Sequence, residues 1–436
     1  MNSFVLAIDG PAGAGKSATA RGVARRLGLL HVDSGAMYRA AAWAALRKGA
    51  NLDSENDVLH ALESARFEAS GEGLRVDGLL VEAEIRTADA GEAASRVAVH
   101  RGLRRRLVAI QRSLARPPGI VMEGRDIGTV VFPRASLKVF LSASVQVRAR
   151  RRYDELVGRG ESADLESIEA MILDRDRRDE SRAESPALPA PDAIPLDTSD
   201  LNLDEQVEIV GRWAELGLRG PGRTKPFYWF GSRFVKAFSR TLLKFRIEGL
   251  DHVPRTGPLI AACNHISFWD PPLVGSNFPR VLHFVAKAEL FENKLFGAML
   301  RGYNSIPIQR GTRARTGLLG AEEVLNEGGA VLIFPEGTRN KSGTLMPPRA
   351  GIGRLAVVTR SPVLPVRISG SNRIRRSMRR QELVRIVIGT PLAPPTRPDP
   401  DRAEMNAFAL RVMEAIAALP GDAETPYRAD PILRGT

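Results

Sequence analysis

The segment Gly10-Pro11-Ala12-Gly13-Ala14-Gly15-Lys16-Ser17 is a glycine loop closed by a lysine and a hydroxyl. It follows an apolar run from Phe4 to Ile8 and leads into a stretch with helical periodicity. Strand, glycine loop and helix in that order turn backbone N–H groups and a helix N-terminus toward an anion, so the phosphates of a nucleoside triphosphate are expected here. Lys16 would reach the β- and γ-phosphates, and Ser17 would offer its hydroxyl to Mg²⁺. The loop alone leaves the phosphoryl acceptor open. Far along the chain, Asn264-His265-Ile266-Ser267-Phe268-Trp269-Asp270 follows the apolar strand Leu259–Cys263. A carboxylate five residues after a histidine can fix its tautomer and leave the other ring nitrogen to take a proton from a hydroxyl. Taken alone, that spacing is more often structural than catalytic. Cys263 would share a strand face with His265, which makes a Cys–His thiolate pair the rival reading; a small buried thiol at a strand end is the ordinary one.

Acceptor-binding groups are sought at the carboxyl ends of the strands, where ligands gather in an open α/β sheet. Asp33-Ser34-Gly35-Ala36-Met37-Tyr38-Arg39 follows a second apolar strand and Glu123-Gly124-Arg125-Asp126-Ile127-Gly128 a third. Arg39 and Arg125 can each grip a monophosphate bidentately. Arg175, Arg178 and Arg182 fall on one helical face, which repels itself unless an anion meets it or water solvates it.

These groups need a scaffold. Apolar strands at Phe4 to Ile8, Gly119 to Met122 and Leu137 to Leu141 alternate with helical patterns, as do Leu259–Cys263, Ala330 to Phe334 and Val363 to Ile368. Both series predict α/β domains built on parallel sheets with helices on both faces. At 436 residues the chain exceeds one ordinary core. The Gly- and Pro-rich stretch 217–226 is the expected linker, giving domains at 1–216 and 227–419 and a loose tail at 420–436. A net charge of +13 calls for anionic partners. The single cysteine rules out an internal disulfide and suits a reducing compartment. The start, from Met1 to Leu6, lacks the pattern of a signal peptide, and no apolar run reaches the roughly 18 residues of a spanning helix, so any membrane contact is expected to be peripheral.

The glycine loop, the Asp33-to-Arg39 stretch, Gly124-Arg-Asp-Ile-Gly-Thr-Val-Val-Phe-Pro133 and Arg175-Asp-Arg-Arg-Asp179 together resemble bacterial cytidylate kinase over about residues 1–216. The resemblance implies a nucleoside-monophosphate kinase fold, with an inserted monophosphate-binding segment near Glu84 to Val97 and an arginine lid. It implies ATP with Mg²⁺ as phosphoryl donor and CMP or dCMP as acceptor. Ser34, Arg104, Asp126 and Arg182 would meet the cytosine edge, Arg39 and Arg125 the CMP phosphate, and Asp179 the ribose. Arg175 and Arg178 would close over the transferring group.

The second half has its own signature. His265 to Asp270, Tyr303-Asn-Ser-Ile-Pro-Ile-Gln-Arg310, Phe334-Pro335-Glu336-Gly337-Thr338-Arg339 and Val363-Leu-Pro-Val-Arg-Ile368 are similar, in order and spacing, to the glycerolipid acyltransferase family. That similarity implies a metal-free α/β acyltransferase domain in which His265 is the base and Asp270 orients it. Lysophosphatidate would be the acceptor, with another lysophospholipid as the alternative, and the acyl thioester would be carried on coenzyme A or acyl carrier protein. Arg310, Glu336, Gly337, Thr338 and Arg339 would form the acceptor's phosphate site. Relatives carry lysines after this motif, whereas here Arg349 is the only cation before Gly351.

Residues Phe227 to Phe245 read as an amphipathic helix with Phe230, Phe234, Phe238 and Leu242 on one face and Arg233, Lys236, Arg240 and Lys244 on another. It is expected either to lie on an anionic membrane, on the cytoplasmic side, or to pack on its own domain. The basic run of Arg373, Arg375, Arg376, Arg379 and Arg380 would add attraction to lipid. No nucleic-acid recognition module accompanies the charge, so nucleic acid is not an expected partner. A kinase half that only senses nucleotide is the alternative to a bifunctional enzyme, and its complete set of transfer residues argues against it.

Overall fold

The computed structural model describes residues 3–70, 73–180, 187–219, 226–308, 318–340, 344–396 and 401–421. It divides into two compact units, Met1–Ala190 with Leu196–Arg212, and Pro191–Pro195 with Trp213–Thr436. The helix Leu203–Arg219 runs past Leu216, where its apolar pattern fades, and a new helix opens at Pro226. Residues 217–219 and 226 of the expected linker are therefore helical, and 220–225 lie outside the described residues.

The first unit contains strands β1 (Phe4–Asp9), β2 (Leu30–Asp33), β3 (Phe67–Ser70), β4 (Gly73–Val76), β5 (Leu79–Leu80), β6 (Gly119–Gly124), β7 (Leu137–Ser142) and β8 (Ile194–Asp197). Five of them form one sheet in the order β2-β6-β1-β7-β8, with β1 parallel to both β6 and β7 and β2 parallel to β6. β1 and β6 are buried along their whole length, as apolar runs in a sheet covered on both faces should be. Their parallel register brings Asp9 level with Gly124 and Asp33 level with Glu123, so the segments after β1, β2 and β6 emerge at the same edge. The small antiparallel sheet β3-β4-β5, with helices Ala88–Val97 and Arg101–Ser113, is inserted between β2 and β6.

The second unit holds β9 (Phe245–Glu248), β10 (Leu259–Cys263), β11 (Leu282–Lys287), β12 (Ser305–Ile308), β13 (Ala330–Ile333), β14 (Val363–Ser369) and β15 (Val384–Ile388). They form a sheet in the order β12-β11-β13-β10-β14-β15-β9, parallel except where β14 meets β15. β10 lies at the centre, wholly buried, and delivers His265 just past its carboxyl end. The neighbouring β13 delivers the Phe334-to-Arg339 turn at the same level. Arg280 staples this core from inside, donating to the carbonyls of Pro254, Gly257 and Gly328. Burial lowers its pKa to about 10.

Candidate active sites

In the first unit the phosphate loop is shaped by what its carbonyls do. Lys16 Nζ donates to Pro11 O at 2.6 Å, Arg148 Nη1 to Ala12 O at 3.1 Å and Thr198 Oγ1 to Ala14 O at 3.2 Å. With the carbonyls engaged on the protein side, the loop's N–H groups are left for an anion. Gly15 begins the helix Lys16–Leu27 at φ 87°, and a Cβ there would sit 2.6 Å from Gln206 Oε1; only glycine fits. Gln206 also accepts from Thr19 Oγ1 at 2.9 Å, so the loop and the start of its helix share one brace. Burial, and then the Arg125 guanidinium, push the pKa of Lys16 well down, a strain that an incoming phosphate relieves.

The same unit holds four buried or half-buried guanidinium–carboxylate pairs. Arg39 meets Asp33 at 2.9 Å, Arg104 meets Asp126 at 2.5 Å, Arg125 meets Asp179 at 3.0 Å and Arg148 meets Asp176 at 2.7 Å. Asp33 also caps the helix Ser34–Arg47, accepting from Ala36 N at 3.0 Å. Burial pushes its pKa up, but Arg39 and that cap outweigh it and the net movement is downward. Ser34 is buried beside Gly124, whose Cβ, if it had one, would lie 2.4 Å from Ser34 Oγ. Arg104 also stacks over the ring of Tyr38. Arg175 is exposed, yet its charge reaches Lys16. Arg178 is turned toward its own helix, where it pairs with Asp174 at 2.8 Å, so the self-repulsion expected of that face is met partly by an internal carboxylate. Arg182 lies outside the described residues.

Two carboxylates have roles that the sequence does not announce. Asp9, at the end of β1, accepts from Ile127 N at 2.9 Å and Gly128 N at 2.7 Å, and burial raises its pKa to about 6. Glu123 accepts from Ser17 Oγ at 2.7 Å and contacts His31 Nε2 at 3.0 Å. A strand-end acid after an apolar run gives no periodic signal, and its partners lie far away in sequence. Hard oxygen donors such as Ser17 and Glu123, side by side at the phosphate loop, suit Mg²⁺.

In the second unit, His265 Nδ1 lies 2.8 Å from Asp270 Oδ2, and the ring stacks on Phe334 at a centroid distance of 4.0 Å. The same oxygen accepts from Ile266 N and Ser267 N, both at 2.7 Å. Asp270 is fully buried, and its helix, Asp270–Asn277, continues with Pro at its opening positions. Cys263 is buried as well; burial, then the charges of Asp270 and Glu336, push its thiol pKa well up. That is the opposite of what a thiolate nucleophile needs.

Glu336, expected in the acceptor's phosphate site, has its carboxylate bonded within the protein. It is buried, with Oε1 accepting from His265 N at 3.0 Å and Oε2 from Asn340 Nδ2 and Met346 N, both at 3.1 Å. With both oxygens so occupied, Glu336 holds the His265 backbone, whose carbonyl in turn accepts from Asn340 N at 2.6 Å. Thr338 and Arg339 are exposed, and Arg339 lies over the ring of Phe268. A Cβ on Gly337 would meet Arg349 Nε at 2.4 Å, so Arg349 crosses directly over this turn. Arg310 lies outside the described residues.

The helix Pro226–Leu242 packs through Tyr228, Val235 and Ser239, leaving Trp229, Phe230, Phe234 and Leu242 exposed. Phe238, expected with the exposed ring face, instead stacks on Trp269, because the buried stripe runs one position away. Arg380 donates to Thr241 O and Leu243 O at the helix's end, and Arg373 pairs with Glu382. Part of the basic run is therefore committed to structure, while Arg375, Arg376 and Arg379 remain exposed. Among the described residues, no helix is long and apolar enough to cross a membrane.

A family model described as cytidylate kinase matches residues 6–215, and one described as acyltransferase matches residues 244–369. A cytidylate kinase of Geobacter sp. (strain M21) is 44% identical over 215 residues, covering 48% of this chain and 92% of its own length. That of Pelotomaculum thermopropionicum is 46% identical over 225 residues, covering 50% of this chain and 100% of its own. A bifunctional pantoate ligase/cytidylate kinase of Synechococcus sp. is 46% identical over 228 residues, which is 50% of this chain and 42% of that protein. The solved 1-acyl-sn-glycerophosphate acyltransferase of Thermotoga maritima is 26% identical and aligns with 49% of this chain and 84% of its own, at a TM-score of 0.35, too low to speak for a shared arrangement. The chain belongs to the cytidylate kinase family through its first half, and it carries an acyltransferase domain in its second.

Proposed function

We propose that the first unit transfers the γ-phosphoryl group of ATP to CMP or dCMP, and that the second acylates the sn-2 hydroxyl of lysophosphatidate to give phosphatidate. For the kinase, the supporting observation is the set of paired arginines carried by the segments that follow β2 and β6, at the carboxyl end of the same sheet as the phosphate loop. Ser17, with Glu123 behind it, would hold Mg²⁺, which on binding neutralises charge on the donor phosphates. Arg39 and Arg125 exchange their carboxylates for the acceptor phosphate. Ser34, Arg104, Asp126 and Arg182 read the base, Asp179 holds the ribose, and Arg175, Arg178 and Lys16 gather the transferring group. Positioning and charge neutralisation carry the reaction, with water kept out by the lid.

For the acyltransferase, the His265–Asp270 pair carries the reading. Nδ1 is engaged by the carboxylate, so the proton of the acceptor hydroxyl goes to Nε2. The hydroxyl oxygen attacks the thioester carbonyl and the C–S bond breaks. The imidazolium then returns its proton to the departing thiolate of coenzyme A or acyl carrier protein. Arg339 and Arg349, with Arg310, would bind the phosphate headgroup. The exposed aromatic face of Pro226–Leu242, beside Arg233, Arg375, Arg376 and Arg379, supports docking on an anionic membrane from its cytoplasmic side. The test is phosphatidate formation from lysophosphatidate in anionic vesicles, with a long-chain thioester presented on each carrier. Product with at least one donor is expected. None with either would overturn the acceptor assignment.

A further inference from the structure

Asp270 is wholly buried, and its two oxygens are supplied from different parts of the chain. Oδ2 takes His265 Nδ1, Ile266 N and Ser267 N, all from the motif itself. Oδ1 accepts from Ser371 Oγ at 2.5 Å, across 101 residues of sequence. A buried hydroxyl donating to a buried carboxylate satisfies both groups. Ser371 is itself buried, in the short turn Ser371–Arg373 that follows β14. Its placement is fixed from the other side too. Asn264, the residue before His265, accepts from Ile368 N at 2.8 Å and donates to Ile368 O at 2.9 Å, which locks the end of β14 to the histidine loop.

We infer that Ser371 is a positioning residue for acyl transfer: its hydroxyl fixes the Asp270 carboxylate and, through it, the ring of His265. With Oδ1 unbonded the carboxylate is free to swing toward its remaining donors, and the imidazole follows it out of line. The motif from Asn264 to Asp270 thus holds only part of the relay. This inference rests on His265 being the base of the acyl transfer proposed above.

The test uses the full-length chain with lysophosphatidate vesicles and a long-chain acyl thioester. Ser371→Ala is expected to lower kcat roughly 10- to 100-fold, the scale of one lost bond to a buried charge, with KM for lysophosphatidate within about twofold. Ser361→Ala is the matched control. It removes a buried hydroxyl from the same unit that bonds Thr359 and not the dyad, and it should leave both constants unchanged. Added to Asp270→Ala, Ser371→Ala should cost nothing further, because the hydroxyl acts only through that carboxylate. A second readout needs no acceptor: the proton on His265 Nδ1, seen by NMR, should move in Ser371→Ala and stay in Ser361→Ala. An unchanged kcat, an equal loss in the Asp270→Ala background, or an unmoved Nδ1 proton would each overturn the inference. If wild type forms no phosphatidate, the acceptor assignment fails, and the Nδ1 proton still decides for or against Ser371.

Discussion

Around the phosphate loop, Asp33, Asp126 and Asp179 each hold an arginine; around His265, Asp270 and Glu336 hold backbone N–H groups, a hydroxyl, an amide and one imidazole. The partners in the first set are arginine side chains, the kind of group that a ligand carrying negative charge would draw away. Those in the second are mostly main chain and cannot be drawn away. A site that must recognise phosphates keeps its cations paired and exchangeable, at little cost when the ligand replaces the carboxylate. A site that must move one proton keeps its carboxylate fully bonded so that the base never drifts. The two halves therefore use aspartate in opposite ways.

Replacing one aspartate of each kind by asparagine sharpens that contrast. Asp270→Asn puts an amide NH₂ among donors that need an acceptor, so acyl transfer should fall by about 10³-fold or more. Asp33→Asn still caps its helix, since asparagine is an equally good cap, and it frees Arg39. Steady-state kinetics with CMP should show KM moving by less than about tenfold, because Arg39 keeps its charge and its place on the helix. Equal losses in the two variants would break the distinction.

A smaller effect separates Asp9 from the paired aspartates. Burial raises its folded pKa to about 6 from the usual 3.8, so the folded chain binds a proton that the unfolded chain has already released. Its contribution to stability is complete below the unfolded value and is lost as pH rises through about 6. Carboxyl ¹³C titration should find one aspartate with a midpoint near 6 that vanishes in Asp9→Asn. If every aspartate titrates near or below 4, burial is not controlling this group.

The sequence carries the parts of these sites that are contiguous. The loop Gly10 to Ser17 and the pair His265–Asp270 are legible because spacing along one turn dictates their geometry. The central strands are legible for a related reason: β10 ends at Cys263 where the apolar run ends. Ser371, Arg148 and the bracing role of Glu336 are not legible, because each acts on a partner that only the sheet order brings near. For Glu336 the resemblance implies a place in a ligand site, whereas its burial and its bonds to His265 N, Asn340 and Met346 N come only with the fold. The aromatic helix misleads by one position: a periodic stripe marks a face, but which face is covered depends on Tyr303 and Trp269, far along the chain.

The central claim is that one chain holds two chemically independent sites. CMP phosphorylation and phosphatidate formation measured on the same preparations of wild type, Lys16→Ala and His265→Ala test it most directly. Lys16→Ala should lose phosphorylation by about 10²–10³-fold and keep acyl transfer, and His265→Ala should do the reverse. A single substitution that removes both activities, or a His265→Ala chain that still acylates at the wild-type rate, would contradict the account.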